Sequence, residues 1–111
     1  MMKFDIRNQH WSIEVVPAHD PGLWVDGTPR TGATWPVTCK IYVSDELSED
    51  QAHRVILHEL THAFIAATQV HDLESWTEEA VCEMIAIYSN EIIARANMLT
   101  GGLYGKVNPG V

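Results

Sequence analysis

SEDQAHRVILHELTHAFIAAT, residues 48–68, decides the architecture. Ser48-Glu49-Asp50-Gln51 fits a capping box, with Glu49 and Asp50 also favourable against the positive end of the helix that begins there. From Ala52 the apolar residues recur at helical spacing. Ala52, Ile56, Leu60, Ala63 and Ala67 fall within about 80° of one another and form a face that must be buried. The spacing predicts a helix to about Thr68. Inside it lies His58-Glu59-Leu60-Thr61-His62, an H-E-x-x-H sequence. Residues four apart on a helix share a face, with Cβ atoms roughly 5–6 Å apart. Two imidazoles so placed can hold one Zn²⁺ at Zn–N distances of about 2.0–2.1 Å. Glu59 follows about 100° further round, close to such a metal without being a ligand, which suits a general base acting on metal-bound water. Val55, Ile65 and Gln69 lie near the two histidines.

Working outward, Gln69 to Leu73 reads as a loop. Ser75-Trp76-Thr77-Glu78 is a second capping box, opening a helix expected to reach about Asn97. Gly101-Gly102 is expected to end anything helical, leaving residues 100–111 as a flexible tail. Upstream, strands and turns dominate. Phe4 and Ile6 alternate with Lys3, Asp5 and Arg7, and Trp11, Ile13 and Val15 alternate with Ser12 and Glu14. His19-Asp20-Pro21-Gly22 is a loop, and Asp26-Gly27 signals a tight turn after Leu23-Trp24-Val25. Thr31 to Pro36 reads as irregular. Val37, Cys39, Ile41 and Val43 alternate with Thr38, Lys40, Tyr42 and Ser44, which predicts a strand over residues 37–44. Together these give an α+β domain with a small twisted sheet packed on the helix of residues 48–68.

A chain of 111 residues with 46% hydrophobic content is one domain, residues 1–111, able to bury a core. The formal net charge is −8, and Lys and Arg form no cluster. That argues against a nucleic-acid partner and against an anionic membrane surface. The N-terminal MMKFDIRNQHWSIEVV lacks an apolar h-region, so no signal peptide is expected, and no apolar run is long enough to span a bilayer. Cys39 and Cys82 read as reduced thiols in a cytoplasmic protein.

A catalytic zinc needs three protein ligands and an open fourth position. The best source of the third is Thr77-Glu78-Glu79-Ala80-Val81-Cys82-Glu83. Glu79 and Glu83 are four apart and share a face with Ala86 and Asn90, so one carboxylate can bind the metal while the other accepts the free ring N–H of a ligating histidine.

HELTH followed by EEAVCE resembles the gluzincin metallopeptidases, the thermolysin-like class. In that class the third ligand is a glutamate on a following helix, within N-E-x-x-x-D. The resemblance implies Glu79 as third zinc ligand and Glu83 as the carboxylate behind a histidine, with Glu78 in place of the family's asparagine and Glu83 in place of its aspartate. The small size is similar to minigluzincins and to short phage-type relatives of ImmA/IrrE-like peptidases. The likeness spans about residues 37–95 and is carried by the two short motifs. It implies a zincin-like fold, zinc as cofactor, a peptide or protein substrate, and Glu59 as catalytic base. It further implies that the Val37–Val43 strand is the sheet edge that aligns an extended peptide. No histidine or tyrosine on the C-terminal side matches the family's oxyanion-stabilising residue.

Two other H-x-x-x-H classes fail on particular residues. Metzincins need Gly and His where this chain has Ile65 and Thr68, and a three-histidine ribonuclease site also needs His at 68. His71 and Asp72 rank below Glu79 as third ligands because neither has a supporting carboxylate at helical spacing. The same residues also have plainer readings. His58 and His62 would suit a half-buried, hydrogen-bonded helix without metal, and Glu78, Glu79 and Glu83 a solvated acidic face. Cys82 reads as a small core residue, and His10, His19 and His53 as surface residues. Trp11, Trp24, Trp35 and Trp76 read as packing residues. A zinc-stabilised binding or regulatory module of phage or bacterial origin is the alternative to the peptidase, and a metal-free interaction domain the next.

Overall fold

The structure, a computed structural model, describes residues 1–68 and 78–105, with the backbone alone for residues 78–83 and 86. The described residues form an α+β arrangement: one mixed four-stranded sheet, a two-stranded ribbon and two long helices. Strands β1 (Met2–Ile6) and β2 (Gln9–Val16) form a hairpin, and β2 then pairs in parallel with β6 (Lys40–Ser44). Strand β5 (Gly32–Trp35) pairs antiparallel with β6 on its other side, giving the order β1-β2-β6-β5. The excursion between β2 and β5 carries a 3₁₀ turn and the ribbon β3 (Trp24–Val25) with β4 (Thr28–Pro29). Asp26 and Gly27 link the ribbon with φ of 52° and 76°, both positive as a type I′ turn requires.

Helix α1 (Glu49–Thr68) starts where the capping box predicts. The Gln51 amide donates to Ser48 Oγ at 3.2 Å, and the Ser48 amide donates back to Gln51 Oε1 at 3.0 Å. Its apolar face, Ala52, Ile56, Leu60, Ala63 and Phe64, is buried against Ile13, Ile41 and Val43 of the sheet. Helix α2 (Glu78–Tyr104) closes the same core with Ile92, Ala96 and Leu99. A smaller cluster of Val16, Leu23 and Ala33 is packed by Val25 and Tyr42.

Three expectations are corrected. Residues 36–39 form a turn, so the strand begins at Lys40, not Val37. Pro36 has no N–H for a ladder, the Cys39 amide closes the turn on Pro36 O at 3.2 Å, and Val37 is 98% exposed. Thr31 to Pro36 is not irregular, because it contains β5, and β5 rather than β6 is the sheet edge. Finally, α2 does not stop at Gly101-Gly102. It runs on because Gly102 lies against Met2, where a Cβ would come within 2.6 Å of the sulfur, and because the Tyr104 hydroxyl donates to Ser44 O at 2.6 Å. Close packing and one hydrogen bond thus offset the low helix propensity of glycine, which costs about 1 kcal/mol per residue. The residue 69–73 loop, the capping box at Ser75–Thr77 and the tail at 106–111 lie outside the described residues.

Of the tryptophans, Trp11 is buried, whereas Trp24 and Trp35 are partly exposed and the Trp35 indole donates to Gly22 O at 2.8 Å. Trp76 lies outside the described residues. Among the described residues no helix is long and apolar enough to cross a membrane.

Candidate metal centre

His58 and His62 lie one turn apart on α1, and both rings turn to the same point. Their Nε2 atoms are 3.2 Å apart, with ring centroids 4.9 Å apart and planes inclined by 71°. Two imidazole nitrogens on one tetrahedral zinc, each about 2.0–2.1 Å from it, lie roughly 3.3 Å apart. The donor pair therefore fits a zinc ion at nearly the separation observed. Without a metal the same separation allows one N–H···N hydrogen bond, in which one ring donates and the other accepts.

Glu59 sits beside this pair in a different environment. It is only 7% exposed, whereas the His58 side chain is largely open to solvent. A buried carboxylate is costly unless it is hydrogen-bonded, and Thr34 on β5 supplies the bond. Thr34 Oγ1 donates to Glu59 Oε1 at 2.8 Å, with the Glu59 carbonyl oxygen 3.1 Å from the same hydroxyl. The second carboxylate oxygen, Oε2, is left 4.0 Å from His58 Nε2. One oxygen is thus anchored to the sheet edge and the other faces the imidazoles.

The close approach of β5 to α1 depends on Gly32. A Cβ at that position would lie 2.5 Å from Val55 Cγ1 and 3.2 Å from Glu59 Oε2. Gly32 and Thr34 point to the helix while Ala33 between them is buried in the smaller cluster, as the two-residue period of a strand demands. A cavity of about 430 Å³ opens over the pair, lined by His58, Glu59, His62 and Thr34 with apolar Val25, Pro36 and Ile65.

His58, Glu59 and His62 are therefore brought together as the sequence predicts. Glu79 and Glu83 fall in the first turns of α2, and their side chains lie outside the described residues, as do those of Glu78 and Cys82. His71 and Asp72 lie outside them entirely. Among the described residues no three His, Cys, Asp or Glu side chains form a metal-holding group. Thr34 and Gly32 were not legible as site residues, because Gly32 and Pro36 make their stretch read as loop. His53 and His10 do have partners: His53 Nε2 is 2.8 Å from Asn97 Oδ1 and His10 Nδ1 is 2.7 Å from Asp5 Oδ1.

Comparison with protein-family models, with curated proteins and with solved structures gave no match.

Proposed function

We propose that the chain is a zinc-dependent peptidase of the gluzincin type with a zincin-like fold, hydrolysing peptide or protein substrates. The observation that carries this reading is the asymmetric Glu59 carboxylate, buried and anchored by Thr34 on one oxygen, beside two imidazole nitrogens 3.2 Å apart. A helix stabilised for packing alone has no need of that combination.

In this proposal His58, His62 and Glu79 hold the zinc, and Glu83 accepts a ring N–H from a ligating histidine. The zinc would supply a Lewis acid that polarises the substrate carbonyl and lowers the pKa of a water toward about 7. Glu59, through Oε2, takes a proton from the attacking water as its oxygen bonds to the carbonyl carbon. It then gives that proton to the amine nitrogen as the C–N bond breaks. Thr34 keeps the carboxylate oriented through both transfers. Strand β5, paired on one side only among the described residues, offers its free edge to an extended peptide, the role expected from the sequence for the Val37–Val43 segment. The free Cys39 thiol is in keeping with a cytoplasmic setting.

The test is zinc content by elemental analysis, combined with a proteome-wide cleavage screen. The wild type should carry one zinc per chain and generate new peptide ends, and Glu59→Gln should keep the zinc and generate none. Glu79→Ala and His62→Ala should both lose zinc. Cleavage by Glu59→Gln at the wild-type rate would remove Glu59 from the chemistry. A protein that unfolds with chelator yet cleaves nothing would instead be the zinc-stabilised binding module.

A further inference from the structure

A second cavity, of about 260 Å³, adjoins the first along the β5 edge, sharing Arg30, Gly32, His58 and Glu59 with it. Its remaining wall is Thr31, Arg54 and Val55. The cleft therefore has two unlike ends with His58 and Glu59 between them. Towards the C-terminal half of α1 Val25, Pro36, Ile65 and Ala66 give a mainly apolar lining beside His62, and Arg30 borders both cavities. Towards its N-terminal half Arg54 joins Arg30, so the smaller cavity carries two guanidinium groups.

This concentration is unusual for the chain. The sequence has 7 Lys and Arg against 15 Asp and Glu, yet two of those cations line one small cavity in which Glu59 is the sole acidic lining residue among the described residues. Other arginines are engaged: Arg7 lies over the Tyr88 ring and Arg95 reaches Glu91. Among the described residues Arg30 and Arg54 have no ion pair. Both are exposed, so their planar donor forks remain available to a carboxylate. Arg54 is four residues before His58 and shares its helical face, and Arg30 precedes β5 by two residues, so helix and strand edge each bring one cation to the same end.

We infer that this end of the cleft is a carboxylate subsite: Arg30 and Arg54 select peptides that present an anionic group on one side of the scissile bond, with an apolar residue on the other. The inference rests on the peptidase reading for its substrate class. The anion is an acidic side chain or a free C-terminal carboxylate, two sources of one chemistry.

Binding to Glu59→Gln protein separates this inference from cleavage. Fluorescence polarisation is read with labelled octapeptide pools, random except for one fixed position, which holds Glu, Gln or Lys. Each pool is prepared with free and with amidated C-termini. The Glu pool or the free-acid pools should bind about five-fold tighter than their neutral counterparts at low salt, and the preference should shrink as salt screens it. Whichever arm shows the preference identifies the source of the carboxylate. Arg30→Ala with Arg54→Ala should bring the ratio close to one, Arg54→Glu should favour the Lys pool, and Arg95→Ala should change nothing. Equal affinity for charged and neutral pools, absence of binding by all pools, or a preference that survives the double arginine variant overturns the subsite. If the preference is found and depends on the arginines while wild-type protein cleaves nothing, the peptidase reading fails and the anion site stands.

Discussion

Helix α1 has two faces, and they obey different rules. Ala52, Ile56, Leu60 and Ala63 are fully enclosed, and their side chains are explained by burial alone. His58 and His62 open to a cleft and contribute little to any core. Glu59 stands at the boundary: it is as inaccessible as a core residue and yet polar, and Thr34 on the sheet edge makes that burial tolerable. The difference teaches that the enclosed face fixes where α1 sits, while the boundary residue depends on what the sheet brings to it.

Substitutions on the two faces should therefore separate stability from chemistry. The largest effect is expected from Glu59→Gln, which should lower kcat by about 10²–10⁴-fold. Its denaturant midpoint should stay close to wild type, since an amide can still accept from Thr34. If kcat is preserved, the boundary residue is structural and the contrast disappears. On the enclosed face, Leu60→Ala should lose about 2–5 kcal/mol of stability in urea unfolding, as full burial and an uncollapsed cavity require. A loss below about 1 kcal/mol would mean that this face is not the packed one.

Two substitutions sharpen the boundary itself. Gly32→Ala should cost about 1–3 kcal/mol by driving a methyl group into Val55. Adding Val55→Ala should recover much of that loss, and no recovery would locate the strain elsewhere. Thr34→Val leaves Glu59 Oε1 without its donor and should cost about 1–3 kcal/mol. Its kcat should fall while KM holds, and Thr34→Ser should restore it. A Thr34→Val enzyme with unchanged kcat would show that the anchor does not orient the base.

The smallest effect lies at the C-terminal end of α2. The Tyr104 hydroxyl is held neutral by burial and by the charge of Asp45, its pKa pushed up from 10.0 to about 12. Because the folded value is the higher one, the contribution is complete below pH 10, declines as pH rises, and is lost above about pH 12. Tyr104→Phe should remove the hydrogen bond to Ser44 O, cost about 0.5–1.5 kcal/mol near neutral pH and flatten the stability profile above pH 10. An unchanged alkaline profile would show that Tyr104 does not report on the α2–β6 junction.

The sequence by itself determined α1, from its capping box to its last turn, because capping, periodicity and the i,i+4 relation are local and need no distant partner. It equally determined the alternating stretches that became β1 and β2, the Asp26-Gly27 turn and the two histidines with Glu59 between them. Only the tertiary structure decided that β5 is the sheet edge, that Thr34 clamps Glu59, that Gly32 admits the strand to α1 and that Arg30 and Arg54 meet at one end of the cleft. It also decided that α2 passes through Gly101-Gly102, since the contacts that outweigh glycine's preference come from Met2 and Ser44. These features join residues 23 to 100 positions apart or closely spaced residues on different elements. No local pattern records such contacts, because they are made only when β5 and α2 dock on surfaces that other segments have already built.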